Sequence, residues 1–83
     1  MGHITCHARW REELVATSDQ GVLVFELMMG KLHLYFPDRQ RWKTQVPQWA
    51  LDKWEDYHRA CQLWCSQNRA PMSVVDDAHV ASE

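Results

Sequence analysis

The sequence predicts a small α+β domain: an antiparallel sheet in the order β-β-β-α-β, with one long amphipathic helix packed on one face. Three observations carry this. Gly21 to Phe36 reads as a β-hairpin whose first strand is apolar on both faces. Residues 47–67 carry an apolar stripe at helical spacing. The 83-residue length allows one domain, spanning 1–83, with a modest core.

In chain order, residues 1–8 hold two histidines and a cysteine without periodicity and are expected to form a loose arm. Over 9–17, Trp10, Leu14 and Ala16 alternate with charged residues, which suits a half-buried strand. Trp10 and Leu14 are also four apart, so a helical start (α-β-β-α-β) is the alternative. Val15 and Thr17 favour the strand. Ser18-Asp19-Gln20-Gly21 is a turn. Val22 to Met28 is the strongest strand, with Leu23, Phe25 and Leu27 on one face and Val22, Val24, Glu26 and Met28 on the other. Met29-Gly30 reverses the chain, and Lys31 to Phe36 returns until Pro37, which cannot donate to a ladder.

Asp38 is placed to cap a short helical turn. Pro47 suits the first turn of a helix running to about Gln67. Ala50, Trp54, Tyr57, Cys61, Trp64 and Cys65 share one arc of that helix. Leu51 and His58 border the arc, and Trp49 and Leu63 fall outside it. Pro71 forbids continuation, Met72 to Val75 reads as a last strand, and residues 76–83 read as a frayed acidic tail.

Composition narrows the function. The net charge of −2 gives no basic excess of the kind nucleic-acid modules carry. Three cysteines cannot complete an intrachain disulfide framework, which points to a reducing, cytoplasmic setting. No stretch reaches membrane-spanning length, so no membrane partner is expected. The start resembles a myristoylation pattern but has Cys6 where Ser or Thr is required. Five tryptophans are the compositional outlier. Those at strand or helix spacing are read as core.

Four chemistries are open to these residues. His58, Cys61 and Cys65 share a helix side, and Cys6, His7 and His3 could complete a tetrahedral metal site. The spacing does not reproduce the usual knuckle, and Cys61 sits mid-stripe like a small hydrophobe, so no metal or cofactor is expected. Catalysis finds no phosphate loop and no nucleophile elbow, and the adjacent carboxylates Glu12-Glu13 and Asp76-Asp77 diverge on a strand. A non-enzymatic protein is the reading. Lys31, Arg39, Arg41 and Lys43, interleaved with Trp42, form the nucleic-acid alternative. The preferred reading is protein association, most simply as a homodimer, through the second face of the strong strand: Val22, Val24 and Met28, joined by Tyr35.

Overall fold

The computed structural model describes residues 3–83. Met1 and Gly2, the start of the expected arm and of the acylation-like pattern, lie outside the described residues. The elements are β1 (Thr5–Arg9), β2 (Glu13–Thr17), β3 (Val22–Met28), β4 (His33–Pro37), α1 (Arg39–Gln45), a 3-10 turn (Gln48–Ala50), α2 (Trp54–Gln67), β5 (Met72–Val75) and β6 (Val80–Ser82). The domain is α+β with a mostly antiparallel open sheet. Among the described residues, no helix is long and apolar enough to cross a membrane.

The sheet runs β1-β2-β3-β4-β5, and β6 also pairs with β3. The seven residues of β3 make this possible. One edge of β3 pairs with β2, and the other is shared. Glu26, Leu27 and Met28 pair with β4, while Leu23, Val24 and Phe25 pair with β6. The β4–β5 pairing is parallel, since both helices intervene and return the chain in the same direction.

Three expectations are corrected. Part of the expected loose arm is strand β1, whose Cys6 pairs with Ala16 and His7 with Val15. Part of the expected frayed tail is strand β6. The expected continuous helix from Pro47 is broken, and α2 begins only at Trp54. The Ala50 carbonyl explains the break. In a continuous helix it would accept from the Trp54 amide. Here it accepts from the Lys53 amide (3.0 Å) and from Trp42 Nε1 (2.8 Å). A tight i+3 turn and a buried indole have taken the acceptor that a longer helix needs.

Other expectations match. Asp38 Oδ1 accepts from the Arg41 amide at 2.8 Å and caps α1. Of Asp52 and Asp56, the acids expected near the helix start, Asp56 lies in the first turn of α2, where the helix dipole favours it, and Asp52 precedes the helix. Leu23, Phe25 and Leu27 face the helices, and Tyr57, Cys61 and Cys65 are buried against the sheet. Trp54 and Trp64 pack at the margin of that core, and Leu63 is exposed. At the centre Phe25 stacks on Phe36 (centroids 5.0 Å) and Trp42 (6.2 Å).

Candidate association site

The loop between β1 and β2 is three residues long: Trp10, Arg11 and Glu12. Arg11 has φ 83° and Glu12 φ 62°, both left-handed. Such reversals ordinarily use Gly or Asn, because a Cβ there costs roughly 1–2 kcal/mol per residue. The strained loop is held from one side. The Glu12 carbonyl accepts from the Leu27 amide at 3.0 Å, and Glu12 Oε2 accepts from the Met29 amide at 3.3 Å. The β1–β2 and β3–β4 turns therefore form one end of the sheet.

Trp10 stands on that end with 83% of its surface exposed. It was expected in a strand with Leu14 and Ala16. The reversal instead cuts that stretch in two and turns the indole outward. Clefts open on both sides of it. One, about 500 Å³, is walled by Arg11, Glu12, Met29 and Gly30. The other, about 480 Å³, is walled by Arg9, Arg11, Glu13 and Glu83. Met28, 38% exposed, lies at the same end of the sheet. An indole contributes roughly 150–250 Å² to a contact, so most of a burial term on the order of 4–6 kcal/mol stays unrealised in the monomer.

The second face of the sheet is not the uncovered apolar surface expected of it. Val24 is 7% exposed and Val15 4%. Register places them in one row, His7–Val15–Val24–Ala81. A charged clasp crosses that row. Arg9, on β1, donates from Nε and NH2 to Glu13 Oε1 (2.9 and 2.7 Å) and from NH1 to Glu83 Oε1 (3.0 Å), beyond β6. These contacts join strands on opposite sides of β2 and β3, with Val15 and Val24 lying between the ends of the clasp. The contact with Arg9 holds the Glu83 carboxyl below the usual carboxylate range. Of the four residues expected to meet a partner, Val24 is covered and Val22 is half-buried. Tyr35 is half-buried and stacked on His33 (4.5 Å), and Met28 is exposed.

The basic–aromatic segment is dispersed. Trp42 is 1% exposed in the core, so its faces are closed to base stacking. Arg41 donates to the Ala78 carbonyl at 3.1 Å. Arg39 lies over the Trp54 ring at 4.2 Å and reaches Glu55 at 3.9 Å. Lys43 is exposed on α1, and Lys31 is exposed in the turn after β3.

The candidate metal ligands do not assemble into one site either. His7 and Cys6 are neighbours on β1 and point to opposite faces. His58 packs on Trp54 (4.7 Å) and edge-on to Phe36 (5.4 Å), where burial, aided by the charge of Arg39, pushes its pKa down. No group of three or more His, Cys, Asp or Glu side chains among the described residues is placed to hold a metal ion. Cys6 and Cys61 are neighbours in the core between β1 and α2.

Trp10 could not be singled out from the sequence. No Gly, Pro or Asn marks the reversal that exposes it, and its spacing from Leu14 and Ala16 imitates a strand face. Comparison with protein-family models, with curated proteins and with solved structures gives no match, so the site stands on its geometry alone.

Proposed function

We propose that this protein is a non-enzymatic association domain whose contact is centred on Trp10, and that its occupant is a second copy of the chain. The carrying observation is an 83%-exposed indole directly followed by two consecutive left-handed non-glycine residues. Backbone strain of that kind gathers at functional positions, and tryptophan is the side chain most enriched among interface hot spots. Self-association is favoured because the same surface carries a projecting ring and a cleft beside it, walled by Met29 and Gly30. A two-fold interface needs this arrangement, since each copy must offer both halves of the contact. Compared with the reading from sequence, the proposed surface moves from the face of β3 to the sheet end, keeping Met28 and leaving Val24 underneath the clasp.

Light scattering at micromolar concentration, run beside circular dichroism, tests this. The expected result is a mass near twice 9.8 kDa for the wild type. Trp10→Ser is expected to be monomeric with an unchanged spectrum and melting midpoint. A monomeric wild type, or an equal dimer in both proteins, would remove the proposal.

A further inference from the structure

All three cysteines of the chain converge, although they come from elements far apart in sequence. Cys6 lies on the core-facing side of β1, opposite Ala16. Cys61 and Cys65, one helical turn apart on α2, are buried in the same core cluster. Cys6 packs against that cluster from β1, and its side chain and that of Cys61 are near enough to perturb one another. Their access differs. Cys61 is fully buried, whereas Cys6 is half-buried and opens on a groove of about 580 Å³ between β1 and α2, where Ile4, Leu63 and Trp64 also lie. One accessible thiol beside one buried thiol is the arrangement of an entry cysteine and its resolving partner.

We propose that Cys6 and Cys61 form a thiol–disulfide switch, in which a small-molecule disulfide enters at Cys6 and Cys61 resolves it, fastening edge strand β1 to helix α2. In the first step the Cys6 thiolate attacks one sulfur of the disulfide RSSR. A bond forms between Cys6 Sγ and that sulfur, the S–S bond of RSSR breaks, and RS⁻ leaves. In the second step Cys61 gives up its proton to the departed thiolate and attacks Cys6 Sγ. The Cys6–SR bond breaks and a second RS⁻ leaves, taking the proton released when Cys6 ionised. The protein loses two electrons and two protons, and RSSR becomes two RSH.

The surroundings suit that order. The neighbouring Cys61 side chain lowers the Cys6 pKa against the opposing effect of burial. The same proximity, reinforced by burial, raises that of Cys61. Once Cys6 carries the mixed disulfide its negative charge is gone, and so is the influence that held the Cys61 proton. Cys65 has no such partner, and burial pushes its thiol up to about 11. It is the bystander. The step is independent of Trp10, which lies on the loop beyond the far end of β1.

The test is to equilibrate the folded full chain with a series of glutathione disulfide to glutathione ratios, quench with acid, and map the cysteines by mass spectrometry. The expected wild-type product has lost two hydrogens, yields a Cys6–Cys61 cross-linked peptide, and melts at a higher temperature than the reduced chain. Cys61→Ser is expected to stop at a glutathione adduct on Cys6. Cys65→Ser is expected to behave like the wild type. A persistent adduct on wild-type Cys6 with Cys61 unlinked, a Cys6–Cys65 link, or no reaction of the folded chain would each overturn the proposal. Circular dichroism on every variant separates these outcomes from misfolding.

Discussion

Single residues in this protein carry conflicts that are resolved by their neighbours. Arg11 and Glu12 adopt left-handed backbone against their own preference. Arg11→Gly should relieve part of that strain. Allowing for the larger entropy that glycine loses on folding, the gain is about 0.5–1 kcal/mol, read as an upward shift of the urea midpoint. A loss of stability would show that the Arg11 side chain contributes more than its backbone costs. His58 presents a second conflict, because its ring stacks in a site that disfavours the proton. Its folded pKa lies below the unfolded value, so the unfolded chain binds the proton more readily. The stabilisation is complete above about pH 6.5 and declines as pH falls from there through the folded pKa. The melting midpoint of the wild type should therefore drop on acidification in that window. His58→Gln should lose this component, and an identical pH profile in both proteins would refute the assignment.

At the scale of elements, the turns and breaks depend on long-range contacts more than on local preference. Gly21 closes the β2–β3 turn, where its carbonyl accepts from the Ser18 amide at 2.9 Å. A Cβ added there would sit 2.6 Å from Cζ2 of Trp49. Gly21→Ala must displace that indole, and a cost on the order of 1–3 kcal/mol in chemical denaturation is expected. Wild-type stability in this variant would mean that Trp49 is not held against the turn. The same dependence explains what the sequence disclosed and what it hid. The β3 pattern, the Asp38 cap and the buried stripe of Tyr57, Cys61 and Cys65 are written in local spacing, and each appears where that spacing puts it. The break before α2 is not local, because it depends on Trp42 reaching the Ala50 carbonyl. Strands β1 and β6 are short and carry little apolar alternation, so only their pairing partners define them. Trp10 hides for the complementary reason: its local spacing is that of a strand, and the reversal that exposes it carries no sequence mark.

Across the whole molecule, the outer face is closed by charge. Arg9 joins Glu13 to Glu83 over the Val15–Val24 row and so ties the first strand to the last. Exposed ion pairs are individually weak, so the effect of Arg9→Ala should be regional. Amide exchange should quicken at Val22 to Val24 and through β6, with little change in α2, and uniform acceleration would argue against a local clasp. The Glu83 carboxyl titrates below its unfolded value. Its share of this closure is present above the usual carboxylate range and is lost as pH falls through the lowered pKa, well below the window of His58. The shared edge of β3 has one further consequence, for a chain being made. Phe25 pairs with Val80, about 55 residues later, and at ribosomal rates of about 5–20 residues per second those partners are born roughly 3–11 s apart. For that interval half of the central strand has an open edge while the hairpin around it can already form. The nascent chain is thus open to misassociation along β3 until Val80 has been made, and the pairing of β6 is the closing step of the fold.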